Sequence, residues 1–468
     1  MLSAEVSLGD GGIHDLLARL TSTVFSPIWR PIAWFSVLAL ALPSAASERE
    51  LDQSSPPGSA EEIRTPIERV FPEEEARSPV LSRLSSRLQS LPPFIADTRL
   101  DARFRTFYLR NDRTSGSLGE AFTTGGSISY RSGWLADLFA IEVEGFTSQP
   151  LYAPQDRGGT GLLQPVQDGY TALGIANARI RHRGIQLTGF RQYLDLPYVN
   201  RSDSRMTPNT FESLTLAKPE GTFRFSTGYT WKIKRRTSSD FESLTEAVGL
   251  EQDRGLAHFG AVWDPTDGLH VGTLAGVIPD VLASVYSELG FVRRIRGDLE
   301  SRLDTQFTYV DDVGDDLLGR LVGTAWNLGV RSSSSWRGAV FRLGLSVTGS
   351  DNAVLSLYGS SPSYADLMQR TFNRADEKVL LVSLSYDFAH IGAHGLTLIA
   401  NYAAAFDGKF ADSRGDAQEL DLTLDYRLAS GLLDGFWLRI RGSWLRDELV
   451  DRDATEVRAI LRYELSLL

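Results

Sequence analysis

From Phe94 to the end of the chain, apolar and polar residues alternate with a period of two. Leu100, Ala102, Phe104, Thr106 and Tyr108 alternate with Asp101, Arg103 and Arg105, and Phe223, Phe225, Tyr229 and Trp231 with Arg224, Ser226, Gly228, Thr230 and Lys232. Leu422, Leu424 and Tyr426 face away from Asp421, Thr423, Asp425 and Arg427, as Leu438, Ile440, Gly442 and Trp444 do from Arg439, Arg441 and Ser443. Successive side chains of a strand point to opposite faces, so each stretch is a strand with one apolar and one strongly polar face. Two architectures give that pattern: a soluble sandwich with a wet outer face, or a membrane barrel with a wet lumen. The barrel is favoured because a secretory signal precedes the strands, no later segment reads as a membrane helix, and aromatics recur near strand ends as interfacial girdles do. In hydrocarbon only a closed barrel satisfies every backbone group of a sheet. The expected fold class is all-β: a transmembrane antiparallel β-barrel over residues 94–468, with an inward-folded constriction loop.

Residues 31–46, PIAWFSVLALALPSAA, form the signal, with Arg30 just before the apolar run and Ser44 and Ala46 placed for cleavage before Ser47. The run is short for a membrane anchor. The thirty residues upstream exceed an ordinary n-region, which leaves a translation start downstream of Met1 open. Residues 47–93 hold seven of the nineteen prolines, with PEEEARSP and few aromatics, the composition of a disordered periplasmic extension. Within it Leu81, Leu84, Leu88 and Leu91 fall at the spacing of a short amphipathic helix, although a solvated tether is the simpler expectation.

Composition narrows the chemistry. The 468 residues include no cysteine, which removes disulfides and thiolate metal sites and suits an envelope protein crossing an oxidising compartment. A formal net charge of −11 argues against nucleic acid as a partner. The histidines (His14, His182, His258, His270, His390 and His394) are scattered. Only His390 and His394 show a spacing of four, in a turn with Gly392 and Gly395 where incidental placement outweighs a metal site. No nucleophile motif with nearby His and Asp stands out, so neither an enzyme nor a cofactor is expected.

If the first strand, near 98–110, rises from the periplasm, residues 111–121 form an outer loop and Ser132–Trp134 a tight turn. A long loop at 147–170 and a tight turn at Arg183–Gly184 follow. Short inner turns and long outer loops are the outer-membrane rule. By that count LPYVNRSDSRMTPNTF, residues 196–211, is the third outer loop. So polar a stretch stays ordered where polar walls supply its hydrogen bonds, which makes it the constriction. Residues 359–378 precede a strand descending to a short 389–395 turn and form another outer loop.

The stretch from Leu196 through SDSRMTPNTFE resembles the signature segment of the outer membrane porin D (OprD) family, the carboxylate channels of Gram-negative outer membranes. YADLMQRTFNRADEKVLLVSLSYDF (364–388), GAHGLTLIANY (392–402), FYLRND (107–112), YRSGW (130–134), GTGLL (159–163) and LDYRLASGLLDGFWLRIR (424–441) are similar to that family in the same order. The resemblance implies eighteen strands around one pore per monomer and a basic row down one lumen wall. Such barrels are often trimeric or loosely associated, which implies a homotrimer as one assembly, embedded in outer-membrane lipid. Eighteen strands leave about 21 residues for each strand and its connection, room for a membrane strand of about 10. The chain departs from the pattern in its long proline-rich extension and in its last residue, Leu468, which falls on the opposite parity to Tyr463, Leu465 and Leu467.

Parity places Arg103, Arg105, Arg131, Arg179, Arg181, Arg439 and Arg441 inward. A closing barrel brings its last strand beside its first, so these arginines can form one wall; the family's basic ladder resembles Arg131, Arg439 and Arg441 most clearly. Guanidinium forks suit carboxylates because two parallel hydrogen bonds fit the planar anion. Glu142, Glu144, Asp421 and Asp425 also face inward; opposite the arginines they would set a transverse field, beside them they would neutralise it. In the constriction Asp203, Ser204 and Arg205 are the candidate selectivity residues, with Tyr364 and Arg374 narrowing the pore from the other loop. Arg–Glu pairs that only brace the barrel, and an Arg205 that only pins its loop, are the competing readings. The expected function is passive diffusion of small carboxylate-bearing solutes, amino acids or organic or aromatic acids. A non-transporting structural or tethering barrel is the alternative.

Overall fold

The computed structural model describes residues 80–468 apart from 115, 117, 320–322, 429–434 and 451. The signal-like run and residues 47–79 of the extension lie outside the described residues. Eighteen strands run in chain order as neighbours. They are β1 (Arg99–Arg113), β2 (Gly119–Arg131), β3 (Phe139–Tyr152), β4 (Tyr170–His182), β5 (Ile185–Gln192) and β6 (Thr210–Lys218). Next come β7 (Phe223–Lys234), β8 (Leu256–Thr266), β9 (Leu269–Ile278), β10 (Leu282–Arg296), β11 (Leu299–Asp311) and β12 (Ala325–Trp336). The last are β13 (Ala339–Thr348), β14 (Lys378–Asp387), β15 (Leu396–Phe410), β16 (Ser413–Arg427), β17 (Phe436–Asp447) and β18 (Arg452–Ser466). The sheet closes where β18 pairs antiparallel with β1, from Asp101↔Ser466 to Arg113↔Ala454. A further two-residue strand, Glu242–Ser243, extends the edge of β7.

Burial separates the two architectures left open by the alternation. Along β16, Leu420, Leu422, Leu424 and Tyr426 are 38–40% exposed, whereas Glu419, Asp421, Thr423 and Asp425 are 0–7% exposed. Apolar side chains point out and charged ones in, the reverse of a soluble sandwich, and the apolar face meets lipid. Phe104, Ile128, Phe259, Trp263 and Trp444 stand on the same outer surface.

The long connections (153–169, 193–209, 235–255, 312–324 and 349–377) all lie on the outer side, although the outer turns at 279–281 and 411–412 are as short as inner ones. Arg183 and Gly184 both have positive φ (50° and 77°), as do Arg337 and Gly338 (47° and 79°), the two-residue turn whose twist matches the strands it joins. Several expected boundaries move because pairing runs on past the bilayer: β1 and β2 stay in register to Asn111↔Gly119, leaving 114–118 as the first outer loop instead of 111–121. The first inner turn runs over 132–138, longer than Ser132–Trp134, and the second outer loop is 153–169. The third outer loop spans 193–209, and the loop before β14 spans 349–377.

Before the barrel, α1 (Ser82–Leu88) forms where the leucine spacing allowed a helix, and α2 (Pro93–Ala96) leads into β1. The amides of Val80 and Leu81 donate to the carbonyls of Ser466 and Leu467, at 2.8 and 3.2 Å. Residues 80–93 are thus tied to the barrel, unlike the solvated tether expected of them.

Leu420 lies mid-strand on the lipid face. Leu420→Arg should destabilise the barrel by about 2–4 kcal/mol, the cost of an arginine at the bilayer midplane. Thr423→Ser, on the lumen face, keeps the hydroxyl that accepts from Arg441 and should stay within about 1 kcal/mol of wild type. Denaturant unfolding in liposomes, read by intrinsic tryptophan fluorescence, checks both.

Candidate functional site

The third loop is held by apolar anchors at its two ends. Leu194, Leu196 and Val199 are buried in a cluster with Leu244 and Ala247 from the loop after β7 and Tyr358 from the loop before β14. Met206 is buried with Leu162 and Leu163 of the second outer loop against Phe107 and Leu109 of β1 and Ile460 of β18. Between these anchors Asp195–Leu196 pairs with Val199–Asn200, and the Asn209 amide donates to the Arg201 carbonyl at 2.8 Å. The Asn200 side-chain oxygen accepts from the Ser360 amide at 2.9 Å, joining this loop to the loop at 349–377. Burying these few apolar groups is what offsets the entropy of ordering a polar segment inside the lumen.

The polar tip then meets the wall. Asp203 accepts both arms of the Arg105 guanidinium, at 2.7 and 2.8 Å, and lies 3.4 Å from Nη2 of Arg462. Burial raises the Asp203 carboxyl, but Arg105, Arg462 and Arg201 outweigh it and hold the group down at about 2. Ser204 Oγ accepts from Arg236 Nη1 at 2.6 Å, and Arg205 Nε donates to the Thr160 carbonyl at 2.9 Å. Among the described residues neither Arg205 nor Arg236 forms an ion pair. Burial, then the nearby guanidinium of Arg458, lowers both, Arg205 to about 9. Arg205 does hold its loop, through the Thr160 and Ser204 carbonyls, without an ion pair among the described residues.

The inward arginines do not all join one wall. Arg103 of β1 reaches Glu144 at 3.5 Å, Arg131 pairs with Glu142 at 3.0 Å, and Arg439 grips Asp425 at 2.6 and 2.5 Å. Arg441 donates to the Thr423 hydroxyl at 3.0 Å. Arg179 and Arg181 instead lie over the Trp134 ring, 5.5 and 4.0 Å from its centroid, with Arg181 also held by Asp137. They belong to the inner turn at 132–138 and not to the constriction. Glu142, Glu144 and Asp425 stand beside arginines and neutralise them. Asp421 and its neighbour Glu419 accept the Met368 and Gln369 amides at 2.9 and 2.7 Å, pinning the loop before β14. In that loop Arg374 forks onto Asp447 at 2.9 Å on both arms, and Tyr364 is buried under Arg331, 4.3 Å from its ring centroid.

The arginines missed by the sequence reading are Arg458 and Arg462 of β18 and Arg236 of a loop. Arg458 and Arg462 share parity with Glu456 and Glu464, opposite to Tyr463 and Leu465, so carrying the alternation back along the last strand finds them. Arg236 has no periodic signal, because it lies beyond the end of β7.

A closed eighteen-strand barrel, apolar outside, charged inside and pinched by inward loops, defines an outer-membrane porin. The family model described as outer membrane porin, OprD family, matches residues 92–467, and the chain belongs to that family. It is a passive channel for small solutes in the Gram-negative outer membrane, not an enzyme. It is similar to the porin-like protein GalP of Pseudomonas putida, 24% identical over 395 residues covering 80% of this chain and 93% of that one. Its fold resembles Pseudomonas aeruginosa OccK9 (OpdG), with TM-score 0.76 and 25% identity over 80% of this chain and 100% of the other. The same coverage holds for Pseudomonas aeruginosa OpdK with vanillate, at TM-score 0.73 and 23% identity.

Because Asp203 is held down at about 2, its contact with Arg105 is fully present above the ordinary carboxylate value of about 3.9 and is lost as pH falls through about 2. Asp203→Asn should raise single-channel conductance by freeing the tip of the loop. The difference from wild type should persist from pH 7 to about 4, fall to about half near pH 2 and vanish below it. A difference already gone at pH 5 would mean that Asp203 does not hold the loop.

Proposed function

We propose that this porin passes small carboxylate-bearing solutes, amino acids or organic or aromatic acids, handing them along guanidiniums past the constriction. The observation that carries this reading is the gathering of the Arg205, Arg236, Arg441 and Arg458 guanidiniums at the inward loop, where neither Arg205 nor Arg236 forms an ion pair among the described residues. Burial first and the Arg458 guanidinium second lower both groups, Arg441 adds to the effect on Arg205, and Glu456 and Asp203 offset only part of it. Like charges gathered in a poorly solvated place favour the entry of an anion, which relieves their repulsion.

Asp203 supports the same chemistry from within the molecule. Its carboxylate sits in the Arg105 fork as a solute carboxylate would, with both oxygens engaged. Arg103, about half exposed and only 3.5 Å from its nearest carboxylate oxygen, and Arg441, bonded to a hydroxyl, are the guanidiniums most open to a passing anion. Arg131, Arg439 and Arg374 are engaged by carboxylates and serve the wall first. Multiple weak sites let a solute enter without a deep trap. Vanillate, named with OpdK, is itself an aromatic carboxylate.

Arg103→Gln with Arg441→Gln should slow a small carboxylate on the order of tenfold, the effect of about 1.4 kcal/mol in the transit barrier. Flux of a neutral sugar of similar size should change less than twofold, since the loops set the width. Liposome flux of benzoate against arabinose measures both. Equal loss of both, or of neither, overturns the proposal; wild-type protein that conducts no current in a planar bilayer would mark a sealed, tethering barrel.

A further inference from the structure

We infer that residues 80–95, centred on α1, form a lipid anchor seated in the periplasmic-side interface of the outer membrane. Val80, Leu81, Leu84, Leu91 and Ile95 are 42–58% exposed, a density of bare apolar side chains otherwise found on the lipid-facing band of this barrel. Leu84 and Leu88 share one face of α1, with Leu81 at its N-cap and Leu91 just beyond its end. Arg83 and Arg87 flank that face, are exposed, and form no ion pair among the described residues, which suits the phosphates of a phospholipid headgroup layer.

What says that lipid covers this face is its continuity with the barrel's own lipid contact. The Val80 and Leu81 amides bond to Ser466 and Leu467, where the lipid-facing parity of β18 ends. At the other end of the segment the Gly133 amide donates to the Phe94 carbonyl at 3.0 Å. A Cβ at Gly133 would run into the Pro93 carbonyl, so the segment is seated closely on that inner turn. The same turn exposes Leu135 and Leu138, 52% and 46%, extending the apolar surface. α1 lies before residues 92–467, which the family model matches.

The chain has no cysteine, so single cysteines report cleanly. Leu84→Cys and Ser86→Cys, on opposite faces of α1, would each carry an environment-sensitive fluorophore in the full chain reconstituted into phosphatidylethanolamine–phosphatidylglycerol liposomes. Heat-modifiable migration would confirm that each variant folds. The expected result is several-fold stronger quenching of the Leu84 label by shallow spin-labelled lipid than by aqueous iodide, with the order reversed at Ser86. Equal iodide quenching at both positions overturns the anchor, as does disulfide-linked dimer formation by Leu84→Cys, which would assign the face to a second copy. As an independent measure, Leu81→Asp/Leu84→Asp/Leu91→Asp should keep wild-type conductance while lowering the thermal midpoint in liposomes but not in detergent. An equal fall in both media would make the leucines ordinary packing and overturn the proposal.

Discussion

Closure of the sheet is the constraint on which everything else rests. Hydrocarbon offers no partner to an unpaired backbone N–H or carbonyl, so a sheet in a membrane must end on itself. Here β18 meets β1 in continuous register, from Asp101↔Ser466 to Arg113↔Ala454. That seam pairs Arg105 with Arg462 across more than three hundred residues of sequence and sets Arg103 opposite Glu464. The charged side chains of the first and last strands become neighbours because the barrel has no edge. The constriction is then assembled on the seam, with Asp203 reaching both Arg105 and Arg462.

The loops complete what closure begins. A lumen lined only by strand residues would be wide and wet, and charges across it would be screened. Outer connections supply apolar groups to the interior, among them Leu162 and Leu163, Leu194 to Met206, Leu244 and Ala247, Val281, Leu318, and Tyr358 to Phe372. These clusters fix where the polar tips lie, and the tips displace water from around the guanidiniums. Desolvation works against the charge of both groups: it lowers Arg205, whereas in Asp203 it is outweighed by Arg105, Arg462 and Arg201, which hold the carboxylate charged. Loop order and the charge around the loop tips therefore draw on the same residues.

Much of this was legible in the residues. The alternation marked the lipid and lumen faces of β1, β7, β16 and β17, the turn at Arg183–Gly184 was read in place, and LPYVNRSDSRMTPNTF was recognised as the third outer loop folded inward. The misreadings share one origin. Arg179 and Arg181 have the right parity, but parity says nothing of depth, and they lie with Trp134 at the inner turn. Whether Glu142, Glu144 and Asp425 opposed or neutralised the arginines was left open because cross-strand register is invisible in one strand. The loop's polar composition drew attention to hydrogen bonds, whereas Leu194, Leu196, Val199 and Met206 anchor it.

By itself the sequence determined which side of each strand faces lipid, because alternation is a local property of the extended chain and is paid for residue by residue in burial. It also placed the tight turn at Arg183–Gly184, whose backbone angles are local too, while other strand ends were set by pairing with the neighbouring strand. Only the tertiary structure decided which charges meet. Arg105, Asp203, Arg236, Arg458 and Arg462 lie far apart along the chain, and their juxtaposition depends on barrel register, strand tilt and the path of loops held by distant apolar contacts. A local pattern can specify a face, but a constriction is a relation among many faces, and it exists once the last strand has found the first.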